Sequence, residues 1–182
     1  MSGRRGGPGP RAVLVGPPGA GKTTVGRALA DHWGVGFRDT DDDVAATLGA
    51  TVAEIFVDRG EPVFRAAEAR AVRAALDEHD GVLSLGGGAV LDAGTRAALA
   101  GHPVVFLDVS LAAAVPRVGL NRDRPLLLES PRSQLKALMD ARRPLYLQVA
   151  TLTVDTSETA VPAVVDLIAR GLDDAVPAGE RP

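Results

Sequence analysis

The stretch Gly16-Pro17-Pro18-Gly19-Ala20-Gly21-Lys22-Thr23 fits the spacing GxxxxGK(S/T) and directly follows the apolar run Ala12 to Val15. A loop of this kind turns successive backbone N–H groups inward on an anion, which requires glycine wherever a Cβ would block the approach. Gly16, Gly19 and Gly21 supply that freedom around Ala20. Lys22 would place an ammonium on the β- and γ-phosphates of a nucleotide, and Thr23 would offer its hydroxyl to Mg²⁺. The helix expected from Thr24 would point its positive dipole end at the same phosphates. A glycine turn that merely joins a strand to a helix is the plain alternative, and the strand-then-helix context that phosphate loops need weighs against it.

A second set of polar residues is read at the ends of other apolar runs, where ligands bind in open α/β sheets. Asp39 and Asp41, one residue apart, can divide the labour: one carboxylate faces the Mg²⁺ shell and the other faces an acceptor hydroxyl. Asp39 is the candidate for the metal, held through its waters. Asp42 and Asp43 read as helix-start charges that pair with a dipole. Gly86-Gly87-Gly88 can expose bare peptide groups to a ring. Arg65 on a long helix could hold a carboxylate bidentately, with Arg142 as a second fork. The segment from about Gly119 to Ser130, with Arg124 before Pro125, reads as a mobile flap or a plain surface loop.

The elements that must position these groups alternate along the chain. Ala12–Val15, Val35–Asp39, Val82–Leu85, Val104–Asp108 and Leu152–Asp155 read as five strands. Helical patterns cover Thr24–Trp33, Glu61–His79 and Pro131–Tyr146; two shorter pieces, Asp41–Leu48 and Val52–Asp58, form an insertion; and a last helix begins near Pro162. A further helix leads from strand four to Arg117. Alternation of this kind predicts an α/β fold with a parallel sheet covered on both faces. One domain is expected over 11–172, between a disordered leader at 1–10 and a flexible tail at 173–182. Its acceptor-binding region would span about 39–68.

Composition excludes several chemistries. The 182 residues contain no cysteine, so disulfides, thiolate nucleophiles and Cys-ligated metals are ruled out. His32, His79 and His102 are scattered and read as surface residues. A formal charge of −3 and six aromatic residues argue against a nucleic-acid groove. No apolar run approaches the ~20 residues of a membrane span. A cytoplasmic monomer with small-molecule partners is expected.

Taken as an ordered set, the motifs resemble shikimate kinase, a family of small P-loop enzymes. The likeness rests on the phosphate loop, Asp39-Thr40-Asp41, Gly60-Glu61 with Phe64-Arg65, Leu85-Gly86-Gly87-Gly88-Ala89, Arg124-Pro125-Leu126, and Arg142 with Pro144-Leu145-Tyr146. It implies a three-layer α/β/α fold with sheet order 2-3-1-4-5, and phosphorylation of shikimate to shikimate 3-phosphate by ATP on the route to chorismate. It implies that Asp41, Arg65, Gly86, Gly87, Gly88 and Arg142 hold shikimate, with Phe56 and Phe64 lining the pocket and Glu68 orienting Arg65. It further implies that Arg124 on a lid reaches the phosphates and that Arg117 stacks on adenine. Two departures stand out: Arg143 leaves open which guanidinium faces inward, and Pro116 falls inside an expected helix close to Arg117.

Transfer of a phosphoryl group needs positioning and charge neutralisation more than covalent chemistry. Lys22, Arg124 and Mg²⁺ would share the developing charge, while Asp41 accepts the hydroxyl proton or only orients it. A gluconate or adenylylsulfate kinase is the nearest rival, and a non-catalytic nucleotide-binding module is the rival of another class.

Overall fold

Residues 9–120 and 130–175 are described by a computed structural model of the chain. Strand β1 (Ala12–Val15) is buried at all four positions, so it cannot alternate between core and water and belongs in the middle of a sheet covered on both faces. It pairs in parallel with β3 (Val82–Ser84) on one side and β4 (Val104–Asp108) on the other; β2 (Phe37–Asp39) and β5 (Leu152–Asp155) are the edges. The resulting order, β2-β3-β1-β4-β5, is the one expected.

Eight helices are described: α1 (Lys22–Trp33), α2 (Thr40–Leu48), α3 (Val52–Arg59), α4 (Glu61–Glu78), α5 (Ala93–Ala98), α6 (Leu111–Arg117), α7 (Pro131–Val149) and α8 (Val161–Ala175). Leu14, Leu29, Val105, Leu107 and Ile168 fill one side of the sheet beneath α1 and α8. Val13, Leu83, Leu85 and Phe106 meet Val72 and Leu76 of α4 and Tyr146 of α7 on the other. A separate small core of Val44, Ile55, Phe64 and Ala67 ties α2, α3 and α4 together. Thr51 and Glu54 close the start of α3 with a reciprocal capping box. None of the described helices is long and apolar enough to cross a membrane.

Several boundaries differ from expectation for local reasons. Val35 is not in β2, because Gly34 adopts the left-handed cap of α1 and the Val35 N–H bonds back to the Ala30 carbonyl. The six-residue α5 and the 3-10 turn Ala89–Leu91 are too short to show a period and were not anticipated. Helix α8 continues to Ala175, three residues past the expected end of the domain at 172. At the other end, Pro10 is buried rather than part of a leader. Asp43 is not a free dipole charge; it pairs with Arg38 at 2.8 Å.

Helix α1 carries Thr23 and β2 ends in Asp39, so their approach matters to any site between them. Gly26 of α1 sits against the Phe37 ring, which occupies the space a Cβ would need. Overpacking costs about 1–3 kcal/mol, more than the ~1 kcal/mol of helix propensity alanine gains over glycine. Gly26→Ala should therefore lower the melting temperature by about 2–8 °C. Thermal denaturation would show the reverse, a rise, if the two elements were not in close contact.

Candidate active site

The phosphate loop runs from the end of β1 to the start of α1, and Gly21 caps the helix in the left-handed region. Gly19 has φ 81°, and a Cβ there would sit 3.0 Å from the Ala114 carbonyl, so glycine is demanded twice over. Lys22 folds back on the loop, its Nζ donating to the carbonyls of Gly16 at 2.8 Å and Pro17 at 3.2 Å. Burial pushes its ammonium down to about 8 although Asp41 and Asp39 pull it up. A cleft of about 360 Å³ opens here, lined by Gly19, Gly21, Lys22, Thr23, Thr24, Asp39, Asp41, Leu85 and Arg117.

Asp39 is both a helix cap and a neighbour of Thr23. Its Oδ1 accepts from the Asp41 N–H at 3.0 Å, and its Oδ2 accepts from the Thr23 hydroxyl at 3.3 Å. One hydroxyl beside one carboxylate suits Mg²⁺ that keeps several waters and takes phosphate oxygens as further ligands. Among the described residues no three histidine or acidic side chains cluster closely enough to hold a cation unaided. Any metal at Thr23 and Asp39 would thus depend on the nucleotide's oxygens.

The acceptor end is assembled on the three glycines that follow β3, each facing a different side chain. Asp41 Oδ1 and Glu68 Oε1 both lie 2.5 Å from where a Cβ of Gly86 would be. Gly87 faces Arg142, whose Nη1 is 3.7 Å from the corresponding point, and the Arg65 guanidinium occupies the space beside Gly88. Arg65 donates to Glu68 Oε2 at 2.6 Å and to Glu61 at 3.2 Å, one turn of α4 away on either side. Phe56 and Phe64 meet at a tilt of 38° with ring centres 4.6 Å apart, and the Arg65 guanidinium lies 5.6 Å and 5.2 Å from those centres. The arginine fork is thus aimed by two carboxylates and two rings.

Asp41 Oδ1 and Glu68 Oε1 are buried without a hydrogen-bond partner among the described residues. Burial raises both carboxyls above the usual range; Asp39 adds to the effect on Asp41, and on Glu68 burial outweighs the pull of Arg65. Two unpaired acceptors converging on a glycine are what a ligand hydroxyl would satisfy.

The neighbouring arginines point in different directions. Arg143 points away and donates to Asp108 Oδ2 at 2.8 Å, whereas Arg142 lies beside Gly87. Arg117 ends α6 despite Pro116, and its guanidinium is held at the rim of the cleft by the carbonyls of Gly19, Thr156 and Ser157 at 3.1, 2.7 and 3.0 Å. Arg124 and most of the expected lid lie outside the described residues. Two residues without an assigned role in the sequence also hold the site. Buried Thr40 accepts from the Gly86 N–H at 3.2 Å, and Thr156 donates to the carbonyls of Ala20 at 2.9 Å and Asp108 at 3.1 Å. A polar residue between two functional aspartates was the only sequence signal for Thr40; Thr156 offered none.

A phosphate loop at the carboxyl end of a five-stranded parallel sheet, facing two guanidinium forks and an unpaired carboxylate, defines a P-loop kinase for a small acidic alcohol. The model of the shikimate kinase family matches residues 18–173, and the chain belongs to that family, which transfers phosphate from ATP to a shikimate hydroxyl. It is 61% identical to a shikimate kinase of Frankia casuarinae over 170 residues, covering 93% of this chain and 76% of the relative. The shikimate kinase of Saccharopolyspora erythraea is 62% identical over 160 residues, covering 87% and 91%. Among solved structures, the Acinetobacter baumannii shikimate kinase in complex with shikimate superposes with a TM-score of 0.79 at 35% identity, covering 95% of this chain and 96% of that one. A Sinorhizobium meliloti gluconokinase shares the fold alone, with a TM-score of 0.57 at 21% identity, covering 92% and 93%.

Two outcomes follow from the perturbed groups. A carboxyl whose folded pKa lies above its unfolded value costs stability as pH rises through that interval, and the cost is absent when both states are protonated. Asp41→Asn should accordingly raise the melting temperature at pH 7 by about 2–4 °C and do so less at pH 4; a gain that grows on acidification would contradict the assignment. Lys22, at about 8, should be pulled up by a bound polyanion. Calorimetry of nucleotide binding in buffers of different ionisation enthalpy should then show proton uptake at pH 8 that fades by pH 6, and proton release at pH 8 would rule it out.

Proposed function

We propose that the cleft binds ATP at the phosphate loop and shikimate at the three glycines, and that Asp41 presents a ring hydroxyl to the γ-phosphate. The carrying observation is the meeting of Asp41, Arg142 and Arg65 with Gly86, Gly87 and Gly88 in turn, next to Lys22 and Thr23. Arg65 and Arg142 would grip the carboxylate, and Phe56 and Phe64 would wall the pocket. Asp41, raised by burial, is suited to accept a hydrogen bond from the attacking hydroxyl and to take its proton late in a loose transition state.

Lys22 would leave its two loop carbonyls for the β- and γ-oxygens, and Gly16, Gly19, Ala20, Gly21, Thr23 and Thr24 would supply N–H groups and the helix dipole. Mg²⁺, held by Thr23 and through water by Asp39, would neutralise phosphate charge when bound. Arg117 would meet the base at the rim, and Arg124 would reach the phosphates from the lid. We further infer a monomer in the cytoplasm, with one domain over 11–172 to which buried Pro10 and the last turn of α8, ending at Ala175, also belong.

Mg²⁺-dependent ADP release should appear with shikimate and not with gluconate or without acceptor, and should be lost in Asp41→Asn and Arg65→Ala. Arg142→Ala should raise the KM for shikimate about 10- to 100-fold, the loss of hydrogen bonds to a charged group, while Arg143→Ala leaves it within about twofold. Equal ADP release in all three reactions would defeat the acceptor assignment, and a larger effect at Arg143 would reverse the two arginines.

A further inference from the structure

Gly86 to Ala89 form a β-turn closed by the Ala89 N–H on the Gly86 carbonyl at 3.0 Å. Gly88, its third residue, has φ −98° and ψ −2°, the values of a type I turn. Glycine at that position is the signature of the type II turn, in which the central peptide is flipped by half a rotation. With glycine at both central positions, neither side chain chooses between the two forms. The flip matters because it exchanges a carbonyl oxygen for an N–H group on the face of the loop that meets the ligand.

The Gly87 carbonyl is fixed from behind. Tyr146 of α7 donates its hydroxyl to that oxygen at 2.5 Å. The ring is buried and stacks on Phe106 of β4 at 5.1 Å between centres, so the oxygen is delivered from a rigid base. We propose that Tyr146 is a positioning residue: its hydroxyl latches the Gly87–Gly88 peptide in the type I orientation and so keeps the Gly88 N–H, which points the opposite way across a trans peptide, available to the carboxylate of the acceptor.

The surroundings of the turn support the latch. Among the described residues the Gly87 carbonyl has no other donor, whereas the Gly88 carbonyl is separately anchored by the Leu91 N–H at 3.0 Å. The hydroxyl remains a donor at any physiological pH, since burial pushes Tyr146 up to about 12. Unlatched, the loop would pass easily to a form that turns a carbonyl oxygen toward an anion, a repulsive contact in place of an attractive one.

The inference rests on the acceptor reading above for the identity of the ligand, but the latch itself is testable without any ligand. Tyr146→Phe removes one oxygen and keeps the ring stack. Expected are a five- to tenfold rise in the KM for shikimate, the scale of one buried hydrogen bond, and a KM for ATP within about twofold. Phe106→Leu, which disturbs the stack and leaves the hydroxyl, should lower the melting temperature and leave the ratio of the two KM values unchanged. In the ligand-free protein labelled at glycine, the nuclear Overhauser contact between the Gly87 α-protons and the Gly88 amide should be weak in the wild type and strengthen in Tyr146→Phe, as a type II population grows. An unaltered contact pattern, or KM values for ATP and shikimate raised together, would overturn the latch. Failure of the wild type to use shikimate would strike the acceptor assignment instead, and the glycine spectra would still decide the latch.

Discussion

A site for anionic substrates must gather cations in a chain whose formal charge is itself −3. An unpaired ammonium or guanidinium in a half-buried cleft would cost free energy and would wander among rotamers. Three of the cations here are held by partners of the chain itself. Lys22 rests on two carbonyls, Arg117 on three, and Arg65 on two carboxylates. The arrangement keeps the donors aimed and lets substrate binding redirect hydrogen bonds that already exist.

The backbone answers the same demand from the other side. β1 lies between β3 and β4, so the phosphate loop, the three glycines and the start of α6 emerge side by side at one edge of the sheet. The satellite core under α2, α3 and α4 then brings Phe56, Phe64 and Arg65 over that edge without a contribution from the main core. Stability and recognition would thereby be partly separated: the large clusters hold the sheet, and the small one carries the residues proposed for the acceptor end. Asp41 and Glu68 show the cost of the division, as two buried carboxyl oxygens without partners among the described residues.

Much of this was legible because its causes are local. A phosphate loop is specified by eight consecutive residues, and alternating apolar runs and helical periods fixed all five strands to within two residues. The same reasoning placed Asp39, Asp41, Arg65 and the glycines at strand ends or on the correct helix. What it could not read depends on distant backbone. The different directions of Arg142 and Arg143 involve Asp108, thirty-five residues from Arg143. Thr156 reaches Ala20 across 136 positions, and Tyr146 meets Gly87 across 59. Val35 was lost from β2 to a cap formed by Gly34, a competition that apolar patterning does not register.

Asp39 is the last residue of β2 and Thr40 the first of α2, so strand passes into helix with no loop between them. The spacing of the two aspartates is therefore a ruler cut to a single length. An inserted or deleted residue would swing Asp41 by about 100° around the helix, since a turn takes 3.6 residues. Exchanging side chains on α3 and α4, which carry Phe56, Phe64 and Arg65, would leave that spacing intact. A change in the length of this junction would instead move Asp41 itself.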